Sequence, residues 1–265
     1  MASQRKISRE VVIDPSETTR RIPHMNRTTA TLIGLLYTDG CLSPKGKSSW
    51  RFYFSNKSER LVAIFRDCMI QCFALPASRV RLGKTNDGLH RALVDSKEAG
   101  KEFTEKFGTF RTLRRNDEHT SAHLPVKELL KHNVAPDFLR AAFSCDGGVN
   151  LYVARRKGTN GGTQWLIRGV YLACAHPQLR KEYCQLLRAL GISARNVAGD
   201  GKVKIETEKD IRVFQKKVGF IDGVHITHTS KFWPNIEKQE LLERLIESYK
   251  VPASVYSLQQ FEQAR

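Results

Sequence analysis

Apolar residues follow two different spacings along residues 50–108, and each spacing predicts a different kind of element. A spacing of two puts apolar side chains on one face of a strand, and it predicts strands over 50–56, 77–83 and 90–96. A spacing near 3.6 puts them on one face of a helix, and it predicts helices over 59–73 and 97–108. These elements follow a shorter apolar helical run, TLIGLLYTDG, at 31–40.

The same order of elements returns in the second half of the chain. A second apolar run, FLRAAFSCDGGV at 138–149, is followed by the predicted strands 150–156, 165–175, 193–199 and 202–207 and the predicted helices 177–191 and 208–220. Aligning Gly108 with Gly219 also aligns Phe103 with Phe214. Chance similarity does not preserve this order over about a hundred residues, so we interpret the chain as two copies of one αββαββα unit.

The repeat gives the chain a predicted domain plan. An α+β fold of two pseudo-twofold-related repeats is expected, with the first at 28–110 and the second at 137–235. A basic linker at 111–136, which includes a short helix, joins them. An N-terminal extension occupies 1–27, and a tail with an amphipathic helix occupies 236–265.

Composition adds a strong positive charge to this plan. The chain has 44 Lys and Arg against 27 Asp and Glu, a formal net charge of +17. Such an excess favours a polyanionic partner, because neutralising phosphates releases counterions. No apolar run reaches the length of about 20 residues that spans a bilayer. The six cysteines form no CxxC pair, and we interpret them as reduced thiols of an intracellular protein, in the cytoplasm or an organelle.

The outward face of the predicted sheets carries mixed polar and charged side chains. Alternation places Phe52 and Phe54 inward, and it places their neighbours on the opposite face. Mixed donors and acceptors are what the reading of base edges requires, although an antiparallel sheet with one solvated face would look similar. The net charge favours nucleic acid, and the candidate DNA-binding residues are Arg51, Tyr53, Ser55, Arg79, Arg81, Arg91, Asp95, Asn150, Tyr152, Tyr171, Asn196, Lys202, Lys204 and Glu206.

Each repeat opens with a helix that ends in an acid followed by glycine. Asp39 and Asp146 would lie at the negative end of a helix dipole, where a carboxylate is unfavourable. Small residues four apart, such as Gly34 with Thr38 and Ala141 with Cys145, would let two helices pack closely and bring these acids together. A single Asp-Gly pair is more typical of a helix C-cap, but two copies favour a site for a divalent, oxygen-seeking cation such as Mg²⁺.

The segment LIGLLYTDG at 32–40 resembles the signature of LAGLIDADG homing endonucleases, and LRAAFSCDG at 139–147 resembles a more degenerate copy of it. The resemblance implies a single-chain endonuclease whose two sheets form a DNA-binding saddle. It also implies that Asp39 and Asp146 bind the catalytic metals, with Gly40 and Cys145 as further candidate ligands. The expected cofactor is Mg²⁺, with Mn²⁺ as a substitute and with Ca²⁺ binding without supporting cleavage.

The resemblance further implies polar or basic side chains around the metal-bound waters. Asn56 and Arg60 match the first such positions in repeat one, and their counterparts in repeat two are Cys174 and Gln178. Cys174 departs from the pattern, because a thiol is a poor group for positioning water.

The resemblance also implies a basic residue after the last helix of each repeat. Lys231 is the candidate in repeat two, with Arg114 or Arg115 as its counterpart in repeat one. Asp39, Asp146, Asn56 and Lys231 are therefore the predicted catalytic residues.

Together these features predict a monomeric, Mg²⁺-dependent endonuclease that cuts double-stranded DNA at a long asymmetric site and needs no obligate protein partner. Metal-activated water would attack one phosphodiester on each strand, across the minor groove. One alternative is a maturase that binds intron RNA on the same scaffold. A second is a DNA-binding regulator without catalytic activity, which the presence of both acids disfavours.

Overall fold

The computed structural model describes residues 24–46, 49–110, 122–156 and 163–250. Its strands all belong to two four-stranded antiparallel sheets, and helices cover one face of each sheet. The candidates Arg114 and Arg115, most of the predicted extension and part of the tail lie outside these residues. The elements of the first repeat are α1 (Arg27–Tyr37), β1 (Gly40–Lys45), β2 (Ser49–Asn56), α2 (Glu59–Phe73), β3 (Arg81–Lys84), β4 (His90–Asp95) and α3 (Lys97–Phe107). Its strands lie in the order β1-β2-β4-β3.

The elements of the second repeat are α5 (Ala135–Asp146), β5 (Gly147–Arg156), β6 (Thr163–Ala173), α6 (Pro177–Ala189), β7 (Arg195–Val197), β8 (Lys202–Ile205) and α7 (Glu208–Lys217). Its strands lie in the equivalent order, β5-β6-β8-β7. A short helix, α4 (Val126–Lys131), precedes this repeat, and α8 (Lys238–Glu247) follows it. The predicted α+β fold of two antiparallel-sheet repeats is therefore confirmed.

Strand register shows how closely the two repeats correspond. Gly40 pairs with Phe54, which pairs in turn with Ala92. In the second sheet Gly147 pairs with Leu172, which pairs with Val203. The two glycines are thus equivalent positions, and every position two or four residues along these strands can be matched between the repeats.

The structure corrects the sequence-based elements at three places. It adds strand β1 (Gly40–Lys45), which no predicted strand covers, and it changes two other segments. Residues Ala77–Arg79, predicted as the start of a strand, form a single 3₁₀ turn, so that Arg79 precedes β3 instead of belonging to it. The strand predicted over 193–199 shrinks to Arg195–Val197. Both segments contribute the outermost strand of a sheet, where only one neighbour supplies hydrogen bonds and short strands are common.

Side-chain alternation orients each sheet as expected. Phe52 and Phe54 in β2 and Val203 and Ile205 in β8 are fully buried against the helices. Burying each such side chain stabilises the fold by roughly 1.5–3 kcal/mol. The residues between them remain partly exposed on the opposite face, which leaves that face open to a partner.

Polar caps set where several helices begin. The side chains of Asn26, Ser58, Ser96 and Thr207 accept hydrogen bonds from backbone N–H groups in the first turns of α1, α2, α3 and α7. Such caps satisfy donors that the helix itself leaves unpaired. None of the described helices has the length and apolar character needed to cross a bilayer.

The two repeats meet along α1 and α5. A Cβ atom on Gly34 would lie 2.6 Å from the Phe138 carbonyl oxygen and 2.9 Å from the Ala141 Cβ atom. The missing side chain of Gly34 therefore lets the two helix backbones approach each other at this crossing. At the beginning of the same helices, Arg27 Nε lies 3.1 Å from Asp137 Oδ1. The predicted small-residue contact thus joins the helices that carry the two acids.

Candidate metal centre and nucleic-acid interface

Both helices pass directly into a strand at the Asp-Gly pair. Asp39 lies just beyond α1 and Asp146 is the last residue of α5. A Cβ on Gly40 would lie 2.5 Å from Leu36 Cα, and one on Gly147 would lie 2.5 Å from the Phe143 carbonyl oxygen. Gly147 has an extended backbone, with φ of −96°. Close approach to the preceding helical turn, and not a left-handed cap, is therefore what requires glycine after each acid.

Asp39 has a hydrogen-bond partner within its own repeat. Asn56 Nδ2, at the end of β2, donates to Asp39 Oδ2 at 2.7 Å. The amide of Asn56 is oriented by its other end, because Asn56 Oδ1 accepts a hydrogen bond from Ser58 N at 2.7 Å. Burial raises the pKa of Asp39, and the hydrogen bonds from Asn56 and the Cys145 thiol and the charge of Lys238 oppose that rise.

Asp146 has a different environment. Burial, and then the neighbouring charge of Asp39, raise its pKa to about 7, and Lys238 opposes the rise. Among the described residues, no side chain donates a hydrogen bond to its carboxylate. Since two nearby carboxylates disfavour each other's ionised form, a bound cation would lower the pKa of both.

Lys238 is a buried lysine that was not predicted from the sequence as a site residue. It begins α8, and its Nζ donates to the carbonyl oxygens of Ser144 at 2.8 Å, Gly147 at 2.7 Å and Cys145 at 3.3 Å. The ammonium thus compensates the negative end of α5. Burial lowers the pKa of Lys238, and Cys145, Asp146 and Asp39 oppose that change.

A sequence signal for Lys238 does exist. The position lies on the apolar stripe of α8, three, four and seven residues before the buried Leu241, Leu242 and Leu245. A charged residue on such a stripe is almost never buried unless it is paired.

Lys231, the lysine predicted from the sequence, has a different environment. Its Nζ lies 5.3 Å from the ring centroid of Phe232, and Lys231 as a catalytic residue stays a prediction.

The oxygen atoms of the two acids fit a hard divalent cation. Mg²⁺ binds few carboxylates and keeps several waters, so it does not require a cage of protein ligands. The described residues hold no group of three or more His, Cys, Asp or Glu side chains that could bind a metal. Burial and the two acids raise the pKa of the Cys145 thiol well above its ordinary value, so a thiolate ligand is disfavoured. The metal-ligand assignments of Cys145 and Gly40 stay predictions.

The repeat-two counterpart of Asn56 has no similar contact. Register makes Cys174 equivalent to Asn56, and its Sγ faces the His176 carbonyl oxygen at 3.6 Å. Arg180 Nη1 donates to the Cys174 carbonyl at 2.8 Å. Gln178, the counterpart of Arg60, donates from Nε2 to Glu182 Oε1 at 2.9 Å. The asymmetry expected from Cys174 is therefore present in the structure.

A cleft of about 1080 Å³ collects the candidate residues of both repeats. Asp39, Asn56, Arg60, Asp146 and Lys238 line it. Five of the candidate DNA-binding residues also line it, namely Ser55, Asn150, Tyr152, Tyr171 and Lys202. The two acids thus face the same space as part of the predicted nucleic-acid surface.

Three of the remaining candidates in repeat one, Arg51, Arg79 and Arg81, donate hydrogen bonds to Asp95. Arg51 donates from Nε to Asp95 Oδ1 at 2.7 Å and from Nη2 to Asp95 Oδ2 at 3.0 Å. Lys45 Nζ and Arg81 Nη2 also donate to Asp95 Oδ2. Arg79 Nη2 donates to the Asp95 backbone carbonyl at 3.3 Å.

Neighbouring strands in the same sheet carry two more of the candidates. Tyr53 lies beside Leu93 in the strand register, and Arg91 lies beside Ser55. Both side chains are partly exposed.

The sheet of repeat two has fewer linked charges. Arg195 Nε donates to Glu206 Oε2 at 2.7 Å, and Lys204 pairs with Asp200. Lys202 Nζ lies 4.8 Å from the ring centroid of Tyr171. Two other candidates are engaged by the protein itself, since Tyr152 stacks on Phe232 with centroids 5.0 Å apart and Asn196 accepts from Arg180 at 2.8 Å.

Comparison with known proteins places the second repeat in a described family. A family model for a LAGLIDADG-like domain matches residues 134–219, which confirms for the second repeat the resemblance predicted from its signature. A structure of variants of the homing endonuclease I-DmoI is 18% identical with a TM-score of 0.47, covering 72% of this chain and 90% of that one. The homing endonuclease I-WcaI bound to its DNA recognition sequence is 16% identical with a TM-score of 0.45, covering 81% and 93%. A search of curated proteins found no match.

Proposed function

We propose that this chain, whose residues 134–219 form a LAGLIDADG-like domain, is a site-specific double-strand DNA endonuclease of the homing type that works with a divalent metal. One observation carries the proposal. The acids that follow α1 and end α5 face one cleft, and the charge of Asp39 contributes to the raised pKa of Asp146. Each repeat supplies one acid, as expected for an enzyme that cuts two strands related by a pseudo-twofold axis.

Asp39 and Asp146 would hold the metal. A bound divalent cation polarises a phosphodiester and lowers the pKa of a coordinated water. Asn56 fixes the orientation of the Asp39 carboxylate, and Lys238 holds the end of α5 and thereby the position of Asp146. Mg²⁺ is the proposed cofactor, with Mn²⁺ able to replace it and Ca²⁺ able to bind without supporting cleavage.

The partly exposed faces of the two sheets would bind the DNA. The net charge of +17 supplies affinity through the phosphates, and the mixed polar side chains suit the major groove of B-form DNA, which admits a β-ribbon. The acids would then lie at the minor groove between the two contacted segments. The protein would act as a monomer, because one chain contributes both repeats and both acids.

The decisive experiment is selection of cleaved molecules from a randomised duplex DNA pool in Mg²⁺, followed by assays of variants on the selected site. Asp39→Asn and Asp146→Asn should each reduce double-strand cleavage more than about a hundredfold, because loss of a mere supporting partner already costs 10–100-fold. Binding of the duplex should persist in both variants.

Asp67→Asn is the matched control for these variants. Asp67 lies in α2 and pairs with the neighbouring Arg66, so this change of the same type should leave cleavage at the wild-type rate. Undiminished cleavage by Asp39→Asn or Asp146→Asn would contradict the metal assignment. Tight DNA binding by the wild type without cleavage in Mg²⁺ or Mn²⁺ would instead identify a regulator.

The maturase alternative is tested with RNA. The deep, narrow major groove of A-form RNA does not admit side chains, so the sheet faces favour duplex DNA. If intron RNA at equal concentration displaced the selected DNA from the protein, the maturase alternative would be favoured instead.

A further inference from the structure

Asp95 gathers three basic side chains on the exposed face of the first sheet. Both of its oxygens accept hydrogen bonds from Arg51, at 2.7 Å and 3.0 Å. Oδ2 also accepts from Lys45 at 2.9 Å and from Arg81. The Asp95 side chain is only 20% exposed, whereas Arg51, Lys45 and Arg81 are 33%, 50% and 56% exposed. The carboxylate is therefore less exposed than the three basic side chains that surround it.

Among the residues that the structure describes, no hydrogen-bond acceptor contacts the outer edge of the Arg51 guanidinium. Arg51 uses Nε and one N–H of Nη2 on Asp95, while Nη1 and the second N–H of Nη2 form the other edge of the planar group. Two parallel N–H donors of this kind match the O6 and N7 acceptors of guanine. The Arg51 hydrogen bond is also the largest cause that holds the pKa of Asp95 well below its usual range, so the carboxylate stays ionised at neutral pH.

The second sheet contains only part of this cluster. The strand registers make Asp95 equivalent to Glu206 and Arg81 equivalent to Arg195. Glu206 and Arg195 form the corresponding ion pair at 2.7 Å.

The other two basic side chains, Arg51 and Lys45, have no equivalent in the second sheet. Register places Gly169 where Arg51 would lie and Tyr152 where Lys45 would lie. The acid and one arginine are common to both repeats, and the two additional basic side chains belong to repeat one alone.

We propose that Asp95 is a positioning residue for base recognition, which fixes Arg51 and Arg81 as rigid donors to guanine in the half of the target bound by repeat one. The inference rests on the proposed DNA-cleaving function and adds to it the identity of a base class and the half-site in which it occurs. The rigid pairing matters because a guanidinium held in its bound geometry loses less conformational freedom on binding.

A direct role of Asp95 in reading bases fits the structure less well. An acid can accept a hydrogen bond from the cytosine N4 amine, but both oxygens of Asp95 already accept from basic side chains. The sequence predicted Asp95 as a DNA-binding residue; under this proposal it supports the arginines that contact the DNA.

The test uses the full chain as wild type and as Asp95→Asn, each selected for binding to the same randomised duplex pool with Ca²⁺ present. Wild type should enrich guanine at one or two positions in one half of the site. Asp95→Asn should lose that preference, with discrimination at those positions falling about 5- to 100-fold. Its affinity for a scrambled duplex should stay equal or rise, because the substitution removes a negative charge.

Two further variants separate positioning from a structural effect. Arg51→Lys keeps the charge but loses the two parallel N–H donors, so it should lose the preference for guanine at the same positions. This variant also keeps the proposal testable if Asp95→Asn fails to fold. Glu206→Gln removes the equivalent acid of repeat two and should change base preference only in the other half of the site.

An unchanged guanine preference in Asp95→Asn or in Arg51→Lys overturns the proposal, as does an equal loss of affinity for every sequence. These outcomes remain distinct from failure of the proposed function, which would appear as a wild-type protein that binds its selected duplex but does not cleave it in Mg²⁺.

Discussion

The ends of α1 and α5 carry the same Asp-Gly pair but stabilise it differently. At the end of α1, Thr38 Oγ1 lies 3.0 Å and 3.1 Å from the carbonyl oxygens of Gly34 and Leu35, so the helix supplies its own partner. At the end of α5, the partner is Lys238, which belongs to a helix some ninety residues further along the chain. The two motifs are therefore equivalent in backbone and unequal in electrostatics.

The same inequality extends to the acids. Asp39 accepts a hydrogen bond from Asn56, whereas register places Cys174 at the corresponding position near Asp146. A donor favours the ionised form of a carboxylate, and its absence favours the protonated form. The comparison teaches that a repeated motif preserves backbone geometry more strictly than it preserves the charges around it.

The largest expected effect follows removal of the ammonium at the end of α5. Lys238→Met leaves the carbonyls of Ser144 and Gly147 without their donor and Asp146 without its compensating charge, so it should lower the free energy of unfolding by about 3–5 kcal/mol. Urea denaturation measures this change. Thr38→Val at the end of α1 should cost only about 1 kcal/mol, because it removes one neutral hydroxyl.

The control for Lys238→Met is the same substitution at Lys231. Lys231 lies over the Phe232 ring, and Lys231→Met should cost about 0.5–1 kcal/mol through loss of the cation–π contact. Equal losses of stability in the two variants would contradict the different roles assigned to these lysines.

The contact between the repeats should respond next most strongly. Gly34→Ala places a Cβ 2.6 Å from the Phe138 carbonyl oxygen and 2.9 Å from Ala141 Cβ, and such overpacking costs about 1–3 kcal/mol. The double variant Gly34→Ala with Ala141→Gly should recover part of this loss in urea denaturation, since it removes one of the two clashes. No recovery at all would mean that the backbone contact with Phe138 dominates the cost.

The smallest expected effect is a pH dependence that distinguishes the two acids. Asp146 has its pKa raised from 3.8 to about 7, so the folded chain binds this proton more tightly than the unfolded chain does. Its contribution to stability is therefore greatest below pH 3.8 and falls as the pH rises towards about 7. In EDTA, the Tm of Asp146→Asn should decline less across this range than that of the wild type, by a few degrees.

Cys174→Asn should make the two repeats more alike in this measurement. An asparagine at this position would donate a hydrogen bond to Asp146 as Asn56 donates to Asp39. It should therefore lower the pKa of Asp146, and the pH at which stability stops falling should move down by about one pH unit. The reverse change, Asn56→Cys, should raise the pKa of Asp39. A pH profile of Cys174→Asn identical to that of the wild type would show that the position does not reach Asp146.

Periodicity in the sequence was sufficient to predict most elements of the fold. The strands over 50–56 and 202–207 and the helices over 59–73 and 208–220 agree with the structure to within a few residues, because alternation and helical spacing reflect which face of each element is buried. The 3₁₀ turn at Ala77–Arg79 was missed, since a strand at the sheet edge with little burial leaves a weak pattern.

The sequence by itself determined the repeat, the two acids and the close helix crossing at Gly34, because each depends on residues a few positions apart whose spacing is set by the helix or strand. Only the tertiary structure decided which charges surround the acids and how the sheet arginines are held. Lys238 and Ser144 are 94 residues apart and Arg51 and Asp95 are 44 apart. Contacts of that kind depend on how whole elements pack, and no local spacing along the chain encodes them.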